Sequence, residues 1–166
     1  MEVVIVRKKA MSVLGAAVAF FCIGGATAQA STPTVGSGTF TVNLAPVSSR
    51  TADGNTFIDF TFSETISGLY SGTRIGQGSL VIHSDSTVVA HVSGVFTGTV
   101  AGSAPGTAIL KGEAAGTFSN LIGQVQPSDG TQGLAGIHGQ AFVIARAVSS
   151  TTLVGRYSAR VQFSTP

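Results

Sequence analysis

The 166-residue chain carries nine basic and seven acidic side chains, a formal net charge of +2, with 22 glycines, ten phenylalanines and a single cysteine. The positive excess lies entirely in the first thirty residues (Glu2, Arg7, Lys8, Lys9), and the remainder holds six basic and six acidic groups. A neutral, sparsely charged domain has no electrostatic footprint for nucleic acid or anionic lipid, and a domain whose only cysteine is Cys22 cannot rest on a disulfide framework.

The N-terminus reads as a secretory signal. Arg7, Lys8 and Lys9 precede an apolar run from Met11 to Ala26, and Ala28-Gln29-Ala30 supplies small residues for cleavage between Ala30 and Ser31. The apolar run is too short for an ordinary membrane span, although an uncleaved anchor is the alternative. Phe20 and Phe21 before Cys22 are too large for a lipoprotein site. Residues 1–30 are therefore expected to be removed. The mature chain is expected to be secreted or periplasmic, with no membrane attachment.

Residues 31–37 (Pro33, Gly36, Ser37) read as a leader, and a single domain is expected over 38–166. Residues 45–55 read as a polar loop with a turn at Asp53-Gly54. From Thr56 to Ile66 apolar residues alternate, with Ile58, Phe60, Phe62 and Ile66 on one face and Glu64 among them. Leu80 and Ile82 share a face, as do Val88, Ala90, Val92 and Phe96. A three-residue loop Asp85-Ser86-Thr87, pairing Ile82 with Ala90, matches those faces. In that register His83 and His91 become diagonal neighbours. Two histidines fall short of the three or four ligands zinc takes, so no metal site and no cofactor are expected.

Gly102–Gly106 and Pro127–Gly133 read as turns. Gln140–Ala147 is apolar on both faces, as in a strand covered on both sides, and its outward positions suggest a homo-oligomer. The last strand places Leu153, Tyr157, Val161 and Phe163 inward. About eight short strands joined by hairpins predict an all-β, antiparallel up-and-down barrel, with a β-sandwich as the alternative.

Phe96-Thr97-Gly98-Thr99, Gly112–Phe118, Gly130–Gly139 and Gly155-Arg156-Tyr157 together resemble an uncharacterised bacterial family grouped with the allene oxide cyclase-like barrels. The resemblance spans roughly residues 38–163 and is most recognisable at Leu134-Ala135-Gly136-Ile137-His138-Gly139. It implies an eight-stranded barrel with a central cavity. Plant enzymes of that group steer an unstable epoxide with a buried carboxylate, polar side chains and bound water; that set has no residue-by-residue match here, beyond Glu64 being an inward carboxylate.

Glu64 is thus the first candidate acid/base residue, since burial raises a carboxyl pKa toward neutrality. The opposing reading places it at the barrel rim, in solvent. Tyr157 is the second candidate, against a purely structural use of its ring and hydroxyl. Arg74 shares the parity of Leu80 and Ile82, but Gly72, Gly76 and Gly78 obscure the register and a solvated arginine is expected. Phe60, Phe62, Leu80, Ile82, Phe96 and Val161 are the expected cavity lining. Gly-x-Ser-x-Gly is absent, and the glycines read as hairpin and bulge positions. Three functions stay open: a binder of a small apolar molecule, an isomerase or cyclase using the inward carboxylate, and a structural or interaction module with a filled core.

Overall fold

A computed structural model describes residues 32–164, so the expected signal segment and the expected cleavage between Ala30 and Ser31 lie outside the described residues. Eight antiparallel strands follow one another as a meander and close into a barrel: β1 (Thr34–Ala52), β2 (Asn55–Gly68), β3 (Tyr70–Ile82), β4 (Val88–Val100), β5 (Gly106–Thr117), β6 (Asn120–Gln132), β7 (Ile137–Ala147) and β8 (Thr152–Phe163). No helix occurs among the described residues. The ring is sealed where β1 pairs with β8, from Thr34↔Val161 to Asn43↔Thr152. Closure leaves few unpaired strand edges, chiefly residues 126–132 of β6 and 137–140 of β7 where the β6–β7 ladder stops, so a chain with so little charge has little need of edge-protecting lysines.

Three sequence expectations are corrected by this pairing. Residues 34–37 are not a leader, because they are strand residues hydrogen-bonded to β8 and help close the barrel. Residues 45–52 are not a loop. They continue β1 past a bulge at Val47 and pair with β2 down to Ala52↔Asn55. Their side chains are nearly all exposed, so no hydrophobic alternation marked them as strand. Pro127 to Gln132 is likewise not a turn. β6 runs through it, with a bulge that breaks the β5 register between Thr107 and Ile109. The turn is Gly133–Gly136.

The Asp53-Gly54 signal corresponds to a two-residue hairpin with both φ positive (52° and 76°), the conformation that favours Asp-Gly there. The β3–β4 hairpin has the expected three-residue loop, but one position earlier. The His83 amide donates to the Thr87 carbonyl (2.8 Å), Ser86 takes a φ of 69°, and Ile82 pairs with Val88 rather than Ala90. A shift of two residues conserves inside and outside, which is why the faces were legible although the partners were not.

Inside, the barrel has two unlike halves. At the end where β1 begins and β8 ends, Ile66, Tyr70, Phe96, Val100, Leu110, Leu134, Tyr157 and Val161 form a filled core. Leu134 belongs to the Gly133–Gly136 turn yet is fully buried, so this turn folds inward as a plug. At the other end Phe60, Phe62, Leu80, Val88 and Leu121 form a second cluster. Most mid-strand glycines face this interior rather than hairpins or bulges. A Cβ on Gly78 would press on the Phe60 ring, and one on Gly155 would strike the Phe40 ring. Small residues opposite aromatic ones let a narrow barrel fill its own bore.

Phe142 and Ile144 on β7 point outward and stay 55 % and 42 % exposed. The strand is covered only on its inner face, because a barrel wall has a single interior. Ile122 on β6 pairs with Ile144 and is exposed as well.

Candidate functional site

The two halves meet at a buried ion pair. The β2–β3 register sets Glu64 directly opposite Arg74, and both point into the barrel. Arg74 Nε lies 2.6 Å from Glu64 Oε2, with each side chain 6 % exposed. These two atoms touch as an ion pair without the in-line geometry of a hydrogen bond. Phe62 supports the guanidinium, its ring centre 4.9 Å from Arg74 Cζ. The stem of Arg74 packs where a side chain on Gly94 would sit, 3.1 Å from Arg74 Cγ. Gly94 therefore makes the room for an arginine in the bore.

The expectation that Arg74 is solvated is overturned. Its neighbouring glycines do not break the strand; they lie on the inner face, where lack of a side chain admits Arg74 and the aromatic rings. The rim reading of Glu64 fails for the same reason. Glu64 sits at the barrel waist, not at a strand end reaching water. Burial lifts its carboxyl above the ordinary range, and the Arg74 charge pulls it only partway back. Burial also pulls the Arg74 guanidinium below its usual value, yet a guanidinium keeps its proton at any ordinary pH.

On the plugged side of the pair Tyr157 approaches Glu64 across a void of about 40 Å³ that both line, with Tyr70 and Ile66. Its hydroxyl is already engaged. The Tyr70 amide donates to it at 2.8 Å, and its own proton faces the Ser67 and Tyr70 carbonyls at 3.2 and 3.3 Å. The ring stacks edge-on against Tyr70, centroids 6.0 Å apart. Burial raises the Tyr157 phenol pKa, and pushes that of Tyr70 up to about 12. Tyr157 therefore pins the β2–β3 turn onto β8. Tyr157→Phe leaves the Tyr70 amide without its acceptor, and a loss of about 1–3 kcal/mol in urea unfolding is expected. No measurable loss would mean that the hydroxyl is not a tether.

On the other side of the pair lies an apolar cavity of about 120 Å³. Its walls include Phe60, Phe62, Leu80, Val88 and Leu121, and Glu64 and Arg74 form its polar end. Of the six expected lining residues, Phe60, Phe62 and Leu80 border it. Phe96 and Val161 do not, because they belong to the filled half, and Ile82 only packs against the cluster around it. Sequence reasoning missed Phe118, which follows β5 and lines the cavity while 38 % exposed. It stands at the mouth.

His83 faces Asn55 Oδ1 at 3.3 Å, and His91 pairs with Ser79 rather than Val81. The proposed diagonal histidine pair rested on the shifted register. Among the described residues, no group of three or more His, Cys, Asp or Glu side chains is placed to hold a metal ion.

No family model matches the chain, and no curated protein matches it significantly. A solved structure does. A protein of unknown function from the DUF3224 family of Shewanella oneidensis MR-1 superposes with a TM-score of 0.63 at 15 % identity, covering 81 % of this chain and 99 % of its own. The chain is thus similar in fold to that protein, an eight-stranded antiparallel barrel. At that identity the likeness carries architecture alone.

Proposed function

We propose that this is an exported β-barrel protein that binds a small, mainly apolar molecule inside the unplugged half of its barrel. The observation that carries the reading is the roughly 120 Å³ apolar cavity with one buried ion pair at its inner end. A cavity in an otherwise dense core forgoes dispersion contacts and costs stability. The plugged half shows that this barrel is able to fill itself. Pockets of this kind, apolar with a few convergent polar groups, are the usual form of small-molecule sites.

Size limits the ligand. An apolar cavity of about 150 Å³ takes up benzene, so this one, at about 120 Å³, is limited to a single ring or a short branched chain. Anything longer has to pass Phe118. Toluene is the simplest probe. It is expected to raise the unfolding temperature of the wild-type protein and to lose that effect in Ala114→Leu, which fills the same cavity from β5. Equal stabilisation of both proteins would place the binding elsewhere and end the reading.

A second reading, an allene oxide cyclase-like isomerase or cyclase, draws on Glu64. A carboxyl raised by burial next to an apolar cavity is suited to general acid or base work. Tyr157 would not share in it, because its hydroxyl is committed to backbone groups. Arg74 would act as the group that tunes the carboxyl.

A further inference from the structure

If the cavity is a binding site, as proposed above, its polar end says what kind of head the ligand carries. Arginine presents five N–H donors in a plane, and Nε stands 2.6 Å from Glu64 Oε2. Among the described residues Arg74 Nε and Glu64 Oε2 are buried without an in-line hydrogen-bond partner. Both side chains border the cavity. The inner end therefore holds donors and an acceptor side by side, each with capacity unused.

The charges there already cancel. A third charge set beside the pair would be desolvated without a counter-charge of its own, which opposes binding. Glu113, exposed at the cavity border, makes an anionic head less welcome still. A neutral head meets no such penalty.

We propose that the cavity selects small ring-sized molecules bearing a neutral amide-type head, whose carbonyl accepts from the Arg74 guanidinium and whose N–H donates to the Glu64 carboxylate. Both hydrogen bonds have a charged partner, the stronger kind. The ring then lies against Phe60, Phe62 and Leu80, with Phe118 behind it.

Benzamide, toluene, benzoate and benzylamine share one ring and differ in the head. Calorimetric titration of the wild-type protein near neutral pH is expected to give benzamide at least about tenfold tighter than toluene, a gap of about 1.4 kcal/mol, with the two charged compounds weaker than benzamide. In Glu64→Leu/Arg74→Met, which leaves no hydrogen-bonding head at the inner end, the advantage of benzamide over toluene should disappear while toluene still binds. Toluene binding without any preference for benzamide would overturn the amide head and leave the cavity reading intact. Benzoate or benzylamine binding as tightly as benzamide would overturn it too, in favour of a charged head. Failure of all four ligands to bind would remove the cavity reading itself.

Discussion

Arg74→Met is expected to destabilise the barrel by about 3–5 kcal/mol near neutral pH, the usual cost of removing one partner of a buried ion pair. The methionine fills much of the space, so the loss is mainly electrostatic: Glu64 keeps its burial and loses its one counter-charge among the described residues. Glu64→Gln should cost a similar amount for the mirror reason, leaving a guanidinium buried beside a neutral amide. The double variant Glu64→Gln/Arg74→Met should recover most of the loss, since nothing charged then remains inside. Unfolding in urea of the four proteins gives the coupling directly. A double variant no more stable than either single one would show that the pair is not what the waist depends on.

The pH dependence gives a second measure of the same pair. A carboxyl whose pKa is raised by folding binds its proton more tightly in the folded state than in the unfolded chain. The stability it contributes is fully present below the unfolded value, about 4.3, and is lost as pH rises through the higher folded pKa. In Arg74→Met the downward pull of the guanidinium is gone, so the folded pKa climbs further and the window of loss widens. The cost of Arg74→Met should therefore be smaller at roughly pH 5 than at roughly pH 8. A cost independent of pH would mean that Glu64 is solvated in the variant.

What was legible in the sequence follows from what alternation reports. Phe60, Phe62 and Ile66 fixed the inner face of β2, and Leu80 with Ile82 that of β3, because one wet and one dry face leave a period of two. The eight-stranded meander followed from hairpin signals such as Asp53-Gly54. The same signal failed where both faces are wet, at residues 45–52, and at 34–37, where Thr, Gly and Ser surround a single exposed valine. The Glu64–Arg74 pair was half legible. Glu64 stood out among phenylalanines, whereas Arg74 stood among glycines that read as punctuation. Counting back from Leu69 at the centre of the β2–β3 hairpin, positions 64 and 74 are equidistant. That symmetry was available in the sequence and identifies the partner. Register in β3–β4 was not available at that precision, because Val81, Ile82, Val88 and Val89 pair acceptably in more than one way. The plug was recognisable as a motif, Leu134-Ala135-Gly136, but nothing local shows that a loop leucine enters the bore.

Gly38→Ala should be among the most damaging single-methyl additions in the chain, costing about 3 kcal/mol or more, the upper range for overpacking. Gly38 lies between two partners at once, opposite Gly68 on β2 and Tyr157 on β8. A Cβ there would collide with the Ser67 carbonyl and with the Tyr157 hydroxyl. Those are two of the groups that tie the β2–β3 turn to β8. Trimming the tyrosine cannot rescue the change, because the carbonyl is backbone and held by the sheet. Gly38→Ala/Tyr157→Phe should thus be less stable than Gly38→Ala alone, having lost the tether as well. By contrast, Gly102→Ala meets no atom within 4 Å. It should cost only the strain of a φ of 76°, about 1 kcal/mol or somewhat more. Thermal unfolding of the three variants separates these outcomes. If Gly102→Ala proves as harmful as Gly38→Ala, loss of glycine's backbone freedom is the common cause. A large excess for Gly38→Ala locates the constraint in the space between β1, the Ser67 carbonyl and Tyr157, the space that holds the filled end of the barrel shut.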